Sequence, residues 1–490
     1  MVKIIAKKII ITAYIIAFLN VHVRAFAANS EPAESTDSKT PVIVGQIGDY
    51  VIKKNELEKR LITELYPDQY EPFNEEAVPA DVNSVLMLML SEKAMIMEAR
   101  NLNYQEKENI QKLINDEKNK RIINLLTESY LKKNADKVAV TEPEIEQKIK
   151  EEPRLNKEQA KKTLYTQKAN SLLNQYYREI YKKLEVKKIT ENYPKAIKVH
   201  DRLLNHPIKK ENIRFIRKYQ ITDETTEEEK NIVLATFTGG KITLLDWFET
   251  LHGLSPPSRP KDLNTIKGFD NLLERTLTTP LLVAEAKLLG LDKDQDMLKK
   301  IRDYEDTRLL NEFRNEKREE VSEITSEEAA NYFNNNKKMF GNKKLRIDQI
   351  WCSDIDTAKR AKAELDNGKD FENVKQQYSL SENGKPFDTY PNNQGLFWKD
   401  LWKGEPNEII GPVKGFYNSN EIKWRIVKIM EKDPGKPTEY SQNLENAIKN
   451  LIANQKYDIL LKKCSQELLK KYPYEIFPDK IKNINPLEMP

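Results

Sequence analysis

The order of apolar and polar positions repeats along the chain. Ile47-Gly48-Asp49-Tyr50-Val51-Ile52 leads into the amphipathic run Glu56 to Leu61, and Phe237-Thr238-Gly239-Gly240-Lys241-Ile242 leads into Asp246 to Leu251, 190 positions later. Met95-Ile96-Met97-Glu98-Ala99-Arg100-Asn101-Leu102 returns as Leu282-Val283-Ala284-Glu285-Ala286-Lys287-Leu288-Leu289 at an offset of 187. Each copy runs into a charged helical pattern in which Ile114 answers Ile301 and Arg121 answers Arg308. Val140-Thr141-Glu142-Pro143-Glu144-Ile145 parallels Ile324-Thr325-Ser326-Glu327-Glu328-Ala329, and a threonine followed by acids predicts a capped helix start. A closing helix repeats too. Gln167-Lys168, Leu172-Leu173, Glu179-Ile180 and Lys182-Lys183 match Gln455-Lys456, Leu460-Leu461, Glu467-Leu468 and Lys470-Lys471, all at an offset of 288.

The opening elements lie 187–190 apart and the closing helices 288 apart, so the second copy holds roughly a hundred extra residues. These fall between the capped helix ending near Lys338 and the closing helix starting near Glu439. Their pattern predicts a strand at Leu345 to Cys352, helices at Ile355 to Leu365 and Phe371 to Tyr378, then strands at Gly395 to Trp398, Ile409 to Lys414 and Glu421 to Met430. That insert reads as a compact α+β domain in a chain that is otherwise mostly α. Connectors are expected at Lys187 to Thr226 and at the turn-rich Ser255-Pro256-Pro257-Ser258-Arg259-Pro260.

Composition narrows the chemistry. The 490 residues, enough for about three or four domains, include 32% charged and 39% hydrophobic residues, four histidines and two cysteines. His22, His200, His206 and His252 are scattered, as are Cys352 and Cys464, so neither a His/Cys metal cluster nor a C-x-x-C redox pair is expected. Gly239-Gly240-Lys241-Ile242 lacks the Ser/Thr and spacing of a phosphate loop, and no G-x-G-x-x-G occurs. No nucleotide and no cofactor are expected.

Residues 1–27 read as a signal peptide: Lys3, Lys7 and Lys8, the apolar run Ile9 to Leu19, then Ala25-Phe26-Ala27. The alternative is a retained N-terminal membrane anchor, although eleven apolar residues fall short of the about 20 that span a bilayer. Residues 28–40 read as a disordered leader. The signal carries four basic residues and no acid, so its removal takes the formal charge from +4 to zero. A balanced mature surface argues against a nucleic-acid partner. The expected location is outside the cytoplasm, in a periplasm or its equivalent. Export permits a disulfide, but Cys352 sits on the insert's first strand and Cys464 on the closing helix, which favours free thiols.

The insert resembles a parvulin-type peptidyl-prolyl isomerase domain: Gly368-Lys369-Asp370-Phe371 with Tyr378-Ser379, Gly395-Leu396-Phe397, and Ile410-Gly411-Pro412-Val413 look like the family's motifs. The host units are similar to the chaperone modules of the SurA, PrsA and PpiD foldases of bacterial envelopes. The resemblance implies a first SurA-like module at 41–189 without insert and a connector at 190–230. The second module then has its N-terminal part at 231–340, a parvulin-like domain at 341–432 and its closing helix at 433–490. It also implies that the positions of the family's two histidines fall at Gln349 and Arg425. The Cys/Asp position falls near Ser381, Phe397 of the G-x-F motif is a further pocket position, and Ile410 stands where a serine is usual. No histidine lies after residue 252. Only Trp398 to Lys403 separate Phe397 from Gly404, so the helix that completes the pocket is largely missing. These replacements predict a weak or inactive isomerase, with Gln349 and Arg425 either paired across two strands or, for Arg425, facing solvent.

A chaperone of this kind holds extended polypeptide on apolar surface rimmed by charge. Candidate contact residues are Leu86, Met89, Met95 and Met97 on a methionine-rich helix, with Trp398 and Trp402 in the insert; core packing is the competing use of all six, as it is of Tyr176, Tyr177 and Tyr181. The expected function is an exported chaperone or foldase for unfolded polypeptides. The alternative is a structural or adaptor subunit of an exported multiprotein assembly or filament.

Overall fold

A computed structural model describes residues 41–65, 81–205, 215–341, 343–380, 384–418, 421–436 and 439–488. The expected signal peptide and leader, and Ser381, lie outside the described residues. In chain order the main elements are β1 (Ile43–Ile47), β2 (Tyr50–Lys53), α1 (Lys54–Leu65), α2 (Val82–Asn101), α3 (Glu108–Lys133), α4 (Glu142–Glu151), α5 (Lys157–Lys183), β3 (Lys187–Lys188) and α6 (Tyr193–Leu204). There follow β4 (Val233–Phe237), β5 (Gly240–Thr243), α7 (Leu244–His252), α8 (Ile266–Leu288), α9 (Gln295–Glu319) and α10 (Ser326–Asn335). The α+β stretch is β6 (Lys344–Cys352), α11 (Ile355–Asp366), α12 (Phe371–Tyr378), β7 (Phe387–Thr389), α13 (Trp398–Trp402), β8 (Ile409–Asn418) and β9 (Glu421–Asp433), and the chain closes with α14 (Gln442–Lys471) and β10 (Tyr474–Ile476). Among the described residues no helix is long and apolar enough to cross a membrane.

The chain divides into an inner unit, Gln111–Glu305, and an outer unit made of Ser38–Ile110 with Asp306–Pro490. That grouping differs from the linear reading of one module at 41–189 followed by another. In the outer unit β1 pairs with β2 and also with β10, Gln46 lying opposite Glu475. In the inner unit β4 pairs with β5 and also with β3, Thr236 lying opposite Lys187. Each hairpin is therefore completed by a strand that follows a long helix in the other half of the chain, β10 after α14 and β3 after α5. The linear reading followed order along the chain, whereas strand pairing follows which edge is within reach.

The two units repeat local geometry. Both hairpins turn through a glycine of positive φ, 51° at Gly48 and 98° at Gly239, a backbone region that L-residues with a Cβ avoid. Both break register near their start, between Ile43 and Gly45 and between Val233 and Ala235. The corner after α2 runs Leu102 (φ −85°, ψ 6°), Asn103 (57°, 35°) and a short 3-10 turn; that after α8 runs Leu289 (−85°, 1°), Gly290 (72°, 14°) and the same turn. Glu144 Oε2 accepts from the Thr141 amide at 2.9 Å, and Glu328 Oε2 from the Thr325 amide at 2.9 Å. These are the N-terminal ties expected of the two capped helices.

The described residues of the expected connector at 190–230 contribute to the inner unit's core. Tyr193, Ala196, Val199 and Leu203 of α6 are buried with Trp247, Phe248 and Phe269, because α6 carries apolar residues at helical spacing. Tyr177 is buried, and Tyr176 stacks on Tyr130 with centroids 3.8 Å apart, so both serve packing. In the outer unit Val44, Ile47, Ile52, Leu57, Leu61, Leu86 and Leu90 are buried.

The α+β stretch forms a sheet of order β7-β6-β9-β8, with helices α11 and α12 at the expected places. One element departs from expectation. Gly395 to Trp398 is not a strand: Gly395–Phe397 is a 3-10 turn leading into the single turn α13. Gly395 at φ 51°, ψ −132° breaks the extended path, and Trp398 and Leu401, three residues apart, then reach the same apolar layer. Cys352 and Cys464 are both free thiols.

Candidate functional site in the four-stranded sheet

Successive side chains of a strand point to opposite faces, so β6 and β9 each divide their residues between two layers. Ile350, Cys352 and Ile426 face α11 and α12, packing on Ala358, Ala361, Leu365, Phe371 and Val374. On that side Asp348 and Lys375 form a buried ion pair, and Lys375 also donates to the Gly384 carbonyl. Leu345, Ile347, Val427 and Ile429 face the other way, under Trp398 and Leu401 of α13.

Gln349, Trp351 and Arg425 belong to this second face. Trp351 and Arg425 are direct partners across β6 and β9, and the guanidinium carbon lies 4.9 Å from the Trp351 ring centroid. Arg425 is 1% exposed, so it does not face solvent. Its Nη1 donates to Gln349 Oε1 at 3.0 Å and its Nη2 to Gln394 Oε1 at 2.7 Å. Gln394 in turn donates from Nε2 to Thr389 Oγ1 at 2.7 Å. Nε of Arg425 is buried without a hydrogen-bond partner. The arrangement is a chain of neutral amides and a hydroxyl ending on a buried cation.

A buried charge is costly unless its donors are satisfied and its field is answered. Here two amide oxygens, the π-face of Trp351 and the field of Asp400 do that work. Burial pushes the guanidinium down to about 9, with Asp400 opposing the shift, so the group stays charged at neutral pH. Space is provided by β8. A Cβ on Gly415 would fall inside the van der Waals envelope of the Arg425 guanidinium, so glycine is needed there for the arginine to lie flat. Phe397 is buried and meets Phe416 edge-on at 5.0 Å, while Ile410 is half-buried and packs with Trp398 and Leu401.

The six candidate contact residues separate into two groups. Leu86, Met95 and Trp398 are buried core residues, because helical spacing turned them toward a packed layer. Met89, Met97 and Trp402 keep part of their surface. Trp402 stacks on Trp398 at 5.2 Å and has Lys432 over its ring at 5.1 Å. The sheet brings Gln349 and Arg425 together, with Phe397 and Ile410 packed in its layer. Sequence reasoning did not reach Gln394, Thr389, Trp351 or Gly415. The available signal was a glycine on the strand beside Arg425, which only the register of β8 on β9 makes informative.

No family model and no curated protein matches the chain. Among solved structures the chain is similar to the peptidylprolyl isomerase PrsA of Bacillus anthracis at 21% identity, over 38% of this chain and 79% of that one, with a TM-score of 0.22. It is similar to PrsA of Bacillus subtilis at 18% identity, over 50% and 94%, with a TM-score of 0.16. A structure of SurA-like chaperones from Campylobacter jejuni matches at 14% identity, over 49% and 96%, with a TM-score of 0.17. These likenesses are loose and assign no role to any single residue.

Proposed function

We propose that the chain is an exported SurA-like chaperone that holds unfolded or extended polypeptide. In this reading it is built from a duplicated helical module whose second copy carries a parvulin-like domain with a closed isomerase pocket. The paired hairpin turns, register breaks, corners and capping ties of the two units support the duplication. The order of motifs along the chain supports the foldase reading, as an analogy of architecture.

The observation that carries the closed-pocket part is the burial of Arg425. Rotating a prolyl bond has a barrier of roughly 20 kcal/mol, and lowering it takes an open slot for the ring and hydrogen-bonding groups free to engage the amide. Here the guanidinium fills the face between Trp351 and Gly415, and both of its amino groups are committed to glutamine oxygens. Neither a glutamine nor a charged arginine exchanges protons near neutral pH.

Two assays test the reading. A chemically denatured protein diluted into an equimolar amount of the chain, without ATP, is expected to aggregate less; unchanged aggregation sinks the chaperone reading. A proline-peptide isomerisation assay is expected to show the uncatalysed rate, and acceleration sinks the closed pocket. The adaptor alternative is favoured by one observation, that Leu86, Met95 and Trp398 are unavailable to clients. Capture from an envelope extract separates the two: many partners in low yield mean chaperone, one stoichiometric partner means adaptor.

A further inference from the structure

The two opening segments and the two closing segments offer two ways of pairing, and the structure uses only one of them. The first opening segment packs with the second closing segment in the outer unit, and the second opening segment with the first closing segment in the inner unit. The backbone geometry of the two hairpins is alike, so the hairpins themselves do not choose the partner; the other pairing would also require α3 and α9, both unbroken here, to fold back on themselves. The charged contacts within the outer unit do differ from what stands at the matching positions of the inner unit.

In the outer unit Asp306 is buried and accepts from Arg100 Nη2 at 2.7 Å and from the Tyr50 hydroxyl at 3.1 Å. Lys107 donates to Glu312 at 3.0 Å and also to Glu316, which takes the Tyr104 hydroxyl as well. Glu92 joins Arg60 at 3.1 Å to Arg314 at 2.7 Å. Asp306, Glu312, Arg314 and Glu316 all lie on α9. At the offset of 187 the matching positions on α3 are Asn119, Leu125, Thr127 and Ser129, none of them charged. Arg60 and Glu92 are matched by Thr250 and Thr279. Lys287 keeps the charge of Arg100, but Asp294 reverses that of Lys107.

We infer that a charge code selects the partner: Arg100 and Lys107 of the first opening segment recognise Asp306, Glu312 and Glu316 of the second closing segment, and the other pairing is rejected. Pairing the first opening segment with the first closing segment puts Arg100 and Lys107 opposite Asn119, Leu125 and Ser129. Pairing the second opening segment with the second closing segment sets Asp294 against Glu312 and Glu316, three carboxylates together, and leaves Arg314 facing Thr279. Specificity thus comes from attraction in the observed pairing and from repulsion and unmatched charge in the other. The inference rests on the duplicated-module reading.

The test uses the full chain with Cys352→Ala and Cys464→Ala. Gln46→Cys with Glu475→Cys reports the observed pairing, because those residues are opposite one another on β1 and β10 at a separation that suits a disulfide. Gln46→Cys with Lys187→Cys reports the other pairing, since Lys187 holds the matching place on β3. Peptide mass mapping distinguishes the two links. The 46–475 link is expected to dominate. Adding Arg100→Glu and Lys107→Glu should lower its yield by about tenfold or more, and further adding Asp306→Lys, Glu312→Lys and Glu316→Lys should restore it. A 46–187 link in the chain with its natural charges overturns the inference. So does a 46–475 yield that ignores the reversal, or a loss of that link or of far-ultraviolet helix signal that the compensating charges do not repair. Aggregation suppression is read separately, so failure of the chaperone reading leaves the link results unchanged.

Discussion

Lys471 Nζ donates to Glu98 Oε2 at 2.6 Å, tying the closing helix α14 to the opening helix α2 across 373 positions of sequence. Lys183 makes the matching tie to Glu285, at 2.8 and 2.9 Å to its two oxygens, between α5 and α8. Both glutamates precede an alanine in the repeated segment, and both lysines end a closing helix. The two ties differ in burial: Glu285 is 5% exposed and Glu98 17% at the side chain, while both lysines are about half exposed.

Removing the lysines is expected to separate the two. Lys183→Met leaves the buried Glu285 carboxylate with one longer hydrogen bond, from the Tyr176 hydroxyl at 3.3 Å, and should cost about 1–3 kcal/mol. Lys471→Met leaves Glu98 with the Tyr472 hydroxyl at 2.6 Å and should cost about 1 kcal/mol or less. Urea unfolding of the two variants checks the order, and an equal or reversed loss contradicts it.

The capping glutamates predict an acid limit. Hydrogen bonds from Lys168 and from Thr141 hold Glu144 down at about 2, and those from Lys456 and Thr325 hold Glu328 at about 2, against an ordinary value of 4.5. A depressed folded value means the contribution is complete above pH 4.5 and is lost as pH falls toward 2. Carboxyl titration by NMR should give midpoints near 2 for both. Lys168→Met and Lys456→Met should each return their own partner toward 4.5 without moving the other.

His200 acts in a different window. It is buried edge-on against Trp247 at 5.7 Å, and burial lowers its value from 6.5, with the Asp201 contact opposing. The neutral ring is the form that fits, so its contribution is present above pH 6.5 and declines as pH falls through the lowered value. Between pH 7.5 and 5 the urea midpoint should fall for the natural chain and fall less for His200→Gln. Parallel curves would remove His200 as the cause.

Gly415 and Arg425 should be energetically coupled. Gly415→Ala pushes a methyl into the guanidinium and is expected to cost about 1–3 kcal/mol. In an Arg425→Ala background the same change should cost at least about 1 kcal/mol less, the coupling expected of residues in direct contact. Additive losses in a double-mutant cycle would mean the strand moves aside and the slot is not filled as described. Restoring histidines with Gln349→His and Arg425→His is expected to leave prolyl isomerisation at the uncatalysed rate, because Trp398 and Leu401 still fill the adjoining face.

Client contact should follow surface and not residue type. With a photo-crosslinking side chain at 89 or 402, both half-buried, a labelled unfolded polypeptide should be captured several-fold more than with the same group at 86 or 398. Equal capture from the buried pair would mean that the helices open to bind.

The chain itself determines the local elements. Helices α11 and α12 and strands β6, β8 and β9 stand within a few residues of where periodicity and turns put them, and Thr141 and Thr325 start helices because each has a glutamate three residues on to complete the cap. These depend on neighbours a turn or two away, which a linear pattern contains. Offsets of 187–190 and 288 also mark which segments resemble one another. Resemblance does not say which of them touch. Gln46 meets Glu475 and not Lys187, Tyr193 of an expected connector lies in a core, and Arg425 is buried against Gln349 and Gln394. Each of these depends on strand edges, charges or a Cβ-free glycine supplied from tens to hundreds of residues away, and only the folded chain brings them together.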